Sequence, residues 1–178
     1  MLIGAIATLD AVLQAHAGAL GDDFERYRNH TYRVANFCLV LATCEDECVE
    51  KVAIAAAFHD LGIWTNGTFD YLLPSIQLAK DYLERGGKAG WLEEVEAMIR
   101  EHHKVLPYRK RPESLVEPFR RADWIDVSKG AFKFGLSRTL TREAYRTWPG
   151  AGFHRRLVQL TLQRARSHPL SPLPMLRL

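Results

Sequence analysis

The 178-residue chain predicts an all-α, bundle-like fold, on three observations. Apolar residues recur at helical spacing through most of its length, and no stretch alternates as a strand does. Proline and glycine gather at the seams between the periodic segments. No repeat or linker interrupts the pattern, so one domain is expected over residues 1–178.

Taken in order, residues 2–18 are apolar with a helical period. In "DDFERYRNHTYRVANFCLVLA" one stripe carries Phe24, Tyr27, His30, Val34, Phe37, Cys38 and Leu41. "EDECVEKVAIAAAFHD" is a third helix whose acidic start suits the helix dipole. Gly62, Asn66 and Gly67 mark a loop, expected with residues 128–150 to rim the site. Pro74 fits a helix's first turn and the pair Gly86–Gly87 its end. "GWLEEVEAMIREHHK" is the next helix, and Pro107 and Pro112 bound a basic loop. A helix over about 114–127 follows, with Ser114 and Glu117 at capping-box spacing. Residues 130–150 read as irregular or weakly helical. "FHRRLVQLTLQRARSH" is a last basic amphipathic helix, and Pro169, Pro172 and Pro174 make the rest of 151–178 an extended tail.

Composition narrows the class. Apolar residues are 47% and charged residues 25%, the balance of a globular protein able to bury a core. No apolar run approaches the ~20 residues of a membrane span. The N-terminus lacks a basic start and carries Asp10 inside its apolar stretch, so no signal peptide is expected. Cys38, Cys44 and Cys48 form no even set, which points to a reduced, cytoplasmic setting. The Cys44/Cys48 pair reads as a surface turn leading into a helix. Charge is divided: residues 1–103 hold 8 Lys/Arg against 16 Asp/Glu, and residues 104–178 hold 16 against 5. Such a field either pairs internally or draws an anion.

Each helical residue turns about 100°, so faces follow from spacing. On the helix before the basic loop, His102 falls in the middle of the apolar stripe of Trp91, Val95, Met98 and Ile99, with His103 on its shoulder. On the 114–127 helix, Asp123 and Asp126 share the side of Leu115, Val116, Phe119 and Ala122. His30 lies on the stripe of Val34 and Phe37. "AAAFHDLGIW" ends a buried helix in His59 and Asp60. A buried ionised carboxylate costs several kcal/mol unless paired or metal-bound. Four helices turning such groups inward share one explanation: a divalent cation between them.

The residues in this order resemble the HD-domain superfamily, whose H…HD…D pattern stands here as His30 in "NHTYRV", His59–Asp60 in "FHDLG" and Asp123 in "RADWID". The likeness spans about residues 20–130. It implies a helical metal-binding fold with His30, His59, Asp60 and Asp123 as ligands, and metal-dependent hydrolysis of a phosphate ester or phosphoanhydride. Members with two metals add separate histidines after the doublet. Here only the adjacent His102 and His103 are available, so one metal is expected. The paired acidic residues of alarmone hydrolases are missing at Leu61–Trp64. The "LGIW…LLPS…REHHK" region looks more like small stand-alone members, including cyanamide-hydratase-like ones.

The expected function is therefore hydrolysis of a nucleotide or other small phosphate ester by an activated water. Asp60 or His102 would orient or deprotonate that water. Lys104, Arg33, or Arg109, Lys110 and Arg111 would stabilise charge on the transferred group. Asp126, one turn from Asp123, would fix a histidine's other ring nitrogen or form an ion pair. His16, His154 and His168 are read as structural or surface residues. A His/carboxylate shell suits Mn, Fe, Co, Ni or Zn. Alternatives are hydration or hydrolysis of a small C–N substrate, oxygen chemistry on iron, or a module without turnover. The last class includes a nucleic-acid binder using Phe132, Phe134, Tyr145 and Trp148 among the basic residues.

Overall fold

A computed structural model describes residues 2–42 and 46–167. Among them there is no strand. The helices are α1 (Ala7–Ala15), α2 (Ala17–Leu20), α3 (Phe24–Ala42), α4 (Asp46–Phe58), α5 (Gly62–Thr65), α6 (Leu72–Arg85), α7 (Leu92–Glu101), α8 (Val116–Val127), α9 (Arg138–Thr147) and α10 (Phe153–Ser167). The all-α expectation holds. None of these helices is long and apolar enough to cross a membrane. Cys44, His168 and the proline-rich tail lie outside the described residues.

The long helix α3 is the spine. It packs most extensively on α8 and next on α4, while α6 lies on α7 and α1 on α4. The run Val52–Phe58 is buried on every side, and its alanines at 53 and 55–57 let neighbouring helices approach closely. Leu9, Leu13, Phe37, Met98, Ile99, Phe119 and Ile125 fill the space between helices with no measurable exposure. Emptying such a position, as in Phe119→Ala, costs about 3–5 kcal/mol.

Three local expectations are corrected. The Ser114–Glu117 capping box does not form: α8 begins at Val116, and the Ser114 hydroxyl donates to Arg111 O at 2.7 Å. Glu117 instead accepts from the Tyr108 backbone N–H (2.8 Å), Arg120 and Arg121. Two arginines one turn along α8 and the Tyr108 backbone N–H thus occupy the carboxylate in place of the cap. Residues 138–147, read as weakly helical, form a regular α9 whose start is capped by the Ser137 hydroxyl accepting from Leu140 N at 3.2 Å. Its buried positions are Thr141 and Ala144, too small and polar to stand out in an apolar pattern. Finally, Gly62 opens the short α5 rather than a loop. A Cβ there would stand 2.6 Å from Tyr71 O, so only glycine lets the start of α6 come this close. That contact places Tyr71 beside the doublet.

α10 lies across the open side of the bundle. The chain enters it through Ala151 and Gly152, both at positive φ (44° and 87°). Phe153 is buried, and Arg156 Nε donates to Asp23 Oδ2 at 2.8 Å. The same carboxylate oxygen accepts from Trp64 Nε1 at 2.9 Å, tying α10 to α5.

Candidate metal centre

The doublet sits where α4 runs out. His59 N still donates to Ala55 O (2.9 Å), and Leu61 N then turns back on Phe58 O (3.0 Å). The tight turn points both side chains into the interior, where His59 and Asp60 are 0% and 2% exposed. Tyr27 of α3 braces this turn: its hydroxyl donates to Ala57 O (3.0 Å) and accepts from Asp60 N (3.3 Å). α7 ends at Glu101, so His102 and His103 extend from its C-terminal turn and not from the helix body. α3 contributes His30 and α8 contributes Asp123.

Hydrogen bonds fix which nitrogen of each ring faces inward. His59 Nδ1–H donates to Ala56 O (2.8 Å), His102 Nδ1–H to Ile99 O (2.7 Å) and His30 Nδ1–H to Asp126 Oδ2 (2.6 Å). In the neutral rings each Nε2 then carries a lone pair. Two of these lone pairs face one another, with His30 Nε2 and His59 Nε2 only 2.9 Å apart. Around them stand carboxylate oxygens. Asp60 Oδ2 is 3.7 Å from His30 Nε2 and 3.4 Å from His59 Nε2. Asp123 Oδ1 is 3.7 and 3.8 Å from the same two atoms. His102 Nε2 lies 3.4 Å from Asp60 Oδ1.

Nothing among the described residues satisfies this group. Asp60 Oδ1, His102 Nε2 and Asp123 Oδ1 are buried without a hydrogen-bond partner. Orphaned buried polar atoms are rare because each costs roughly 1–3 kcal/mol. Acceptors at roughly 3–3.6 Å spacing are what a sphere of bonds near 2.1 Å requires. The residues therefore fit a divalent transition metal. Asp60 belongs to two such groupings, one with His30 and His59 and one with His102 and His103.

The titration behaviour carries the same message. Burial, helped by the rings of His102 and His30, holds His59 down to about 3, so it stays neutral. Burial favours protonation of Asp60, but the imidazoles of His59 and His102 outweigh it and keep the carboxyl well below its ordinary range. Burial pushes Asp123 up to about 7, with the Asp60 and Asp126 carboxylates adding to the rise. Without a cation, two neighbouring carboxylates cannot both ionise comfortably here.

Behind His30 the arrangement is saturated. Asp126 accepts from His30, from Arg33 Nε (2.5 Å, Oδ1) and Nη2 (2.9 Å, Oδ2), and from the Tyr145 hydroxyl (2.8 Å, Oδ1). These donors outweigh burial and hold its pKa well below the carboxylate range. Arg33 Nη1 also donates to Trp148 O at 2.8 Å. Arg33, expected at the substrate, is thus committed to Asp126 and fully buried. Helical spacing placed it one turn from His30 but could not say on which side. Lys104 likewise does not line the cavity over the doublet. It borders a separate surface hollow with Tyr108, Arg109 and Lys110, while Arg111 pairs with Glu93.

Other histidines fall outside the cluster. His16 donates from Nδ1 to Val12 O and meets Phe58 edge-on. His154 Nε2–H donates to Asp126 O at 2.8 Å, behind the site. Of the four aromatics considered for stacking on nucleic acid, Trp148 is buried against Tyr32 and Tyr145 is bonded to Asp126. Phe132 and Phe134 are exposed.

Sequence reading missed the cavity. A space of about 230 Å³ opens above Asp60, Asp123 and His103. Phe69, Tyr71, Trp124 and Val127 form one wall, and Leu157, Val158 and Thr161 of α10 the other. The Tyr71 hydroxyl bonds His103 Nε2, whose ring stands between Asp60 and Asp123. Phe153 stacks on His30 with ring centroids 4.0 Å apart. The 62–72 segment does rim the site, but α10 covers it in place of much of 128–150. No periodicity within α10 or the loop could show which site they close.

No curated protein and no solved structure matches the chain. The family model of the HD domain matches residues 27–128, a span holding His30, the doublet, His102, His103, Asp123 and Asp126. HD domains bind divalent metals and are generally metal-dependent hydrolases. With more than half its length matched, the chain belongs to the HD-domain family.

Proposed function

We propose that this protein is a metal-dependent phosphohydrolase acting on a small phosphate ester. One observation carries the reading: three buried, partnerless acceptor atoms converge where two imidazole lone pairs already face each other. His30, His59, Asp60 and Asp123 hold the ion, with His102 as a further ligand or a base. One ion satisfies the first four, and the grouping of Asp60 with His102 and His103 favours a second position. Mn, Fe, Co, Ni and Zn all suit such donors. A bound divalent ion supplies an electrophile for the phosphoryl oxygen and lowers the pKa of a water toward neutrality.

The residues divide the remaining work. Water oxygen bonds to phosphorus as the bond from phosphorus to the leaving oxygen breaks. Asp60 or His102 accepts the proton that the water gives up. The same group then returns that proton to the departing oxygen, while His103, kept neutral chiefly by burial and hydrogen-bonded to Tyr71, borders the substrate at the cavity floor. Asp126 and Arg33 keep the His30 ring in its ligating tautomer from behind.

A second reading is hydration or hydrolysis of a small C–N substrate, and one observation favours it: among the described residues no Lys or Arg lines the cavity. Metal analysis of the purified protein, followed by turnover assays on phosphate esters, nucleotides and nitriles with Mn, Co, Ni and Zn, decides between them. Hydrolysis of a phosphate ester is expected. Turnover of a nitrile with failure on every phosphate compound replaces the first reading with the second.

A further inference from the structure

We infer that the substrate carries a compact apolar body, of the size of one aromatic ring, packed between Trp124 and α10. The inference rests on the reacting group sitting at Asp60, His103 and Asp123, as in the proposed function, and adds what the rest of the molecule must be.

The cavity divides sharply by chemistry. All its charge is on the floor, at Asp60, Asp123 and His103. Its walls are apolar or aromatic: Phe69, Tyr71, Trp124, Val127, Leu157 and Val158, with the Thr161 hydroxyl and the Tyr71 hydroxyl, the latter bonded to His103, as added polar groups. A polyphosphate or a ribose would need several donors above the floor, and among the described residues only the Thr161 hydroxyl stands free of the Tyr71–His103 pair. Arg156, next to the wall residue Leu157 on α10, is bonded to Asp23. Size agrees. Drug-sized ligands occupy roughly 300–1,000 Å³, whereas this space is about 230 Å³. It suits a single small head group on a single ring, and a base, a sugar and a phosphate together would extend beyond it. Specificity follows from contact area, since even one methylene in an apolar pocket is worth roughly 10-fold or more.

The test is a set of matched ligands titrated by calorimetry into Zn-loaded and Mn-loaded protein. Phenylphosphonate is compared with methylphosphonate, benzonitrile with acetonitrile, and adenosine monophosphate is added as a bulky polar control. The phenyl member is expected to bind at least about 10-fold tighter than its methyl partner in at least one series. Equal affinities within both series, no binding by either phenyl ligand, or adenosine monophosphate binding tightest overturns the inference. The head group reports separately on the proposed function: a phenyl preference confined to nitriles keeps the inference and sinks the phosphohydrolase reading. Val158→Asp places a carboxylate in the wall at a position 58% exposed, where folding tolerates it. Its circular dichroism and melting should match the parent, and the phenyl preference should vanish. A preference that survives both Val158→Asp and Val127→Asp overturns the assignment of the wall.

Discussion

Two carboxylates stand one turn apart on α8, both nearly inaccessible, and their surroundings are opposite. Asp126 meets a bidentate guanidinium, an imidazole N–H and a tyrosine hydroxyl. Asp123 keeps an oxygen with no partner at all. The layer behind His30 is therefore complete as protein, and the layer in front of it is complete only with a cation. Burial of an acid does not by itself mark a functional group. The presence or absence of donors around it does.

This contrast breaks most visibly at Asp60, shared by both candidate groupings. Asp60→Ala is expected to lower bound metal to background by elemental analysis, a loss of at least about 100-fold in affinity. Metal at full occupancy in that variant removes the ligand assignment. Next in size is Asp126→Ala, which strands the Arg33 guanidinium in the interior. It should cost about 3–5 kcal/mol of stability, a fall of roughly 10 °C in melting temperature. Asp123→Asn should cost the metal-free protein little or nothing at pH 8, since no donor is orphaned by it. A loss there as large as for Asp126 erases the distinction between the layers.

Acidity sharpens the same comparison. Asp123 takes up a proton near pH 7 in the metal-free site, and an ion must displace it. Metal affinity is then expected to plateau above pH 7 and to fall about tenfold per pH unit below it for each proton displaced. His59, neutral down to about pH 3, adds nothing in that window. His102, where burial lowers the pKa but Asp60 and Asp123 outweigh it and raise it, gives up a further proton if it binds the ion. Calorimetry in buffers of different ionisation enthalpy counts the protons; no release at pH 6 contradicts the raised Asp123. The smallest expected effect is at Glu117, held down to about 2: burial opposes ionisation, but Arg120, the Tyr108 N–H and Arg121 outweigh it. Its folded pKa is depressed, so its contribution is full above about pH 4.5 and disappears toward pH 2. Glu117→Gln should cost on the order of 1–2 kcal/mol at pH 7 and nothing at pH 2, by chemical denaturation.

Much of the centre was legible because helical period turns spacing into faces. Four segments each put a histidine or aspartate on an apolar stripe, and the fold brings those groups together. The rule holds even at the helix end: His102, αR at the C-cap of α7, is fully buried as its place on the stripe implies, and His103, on the shoulder, is partly exposed. The rule failed for cations. Arg33 is on the right turn of α3 but faces Asp126, and Lys104 faces a different hollow.

Periodicity, capping residues and the placement of histidine and aspartate fixed the all-α class, the order of helices and the inward-facing polar groups from sequence alone. Those are local properties, set by each residue's relation to neighbours three or four positions away. Which aspartate is saturated, which side of α3 carries Arg33, and that Leu157 and Val158 roof the doublet were decided only in three dimensions. These contacts join residues on the order of 100 positions apart, such as Arg33 with Asp126 (93 positions). No one-dimensional pattern encodes them, because they depend on how whole helices pack.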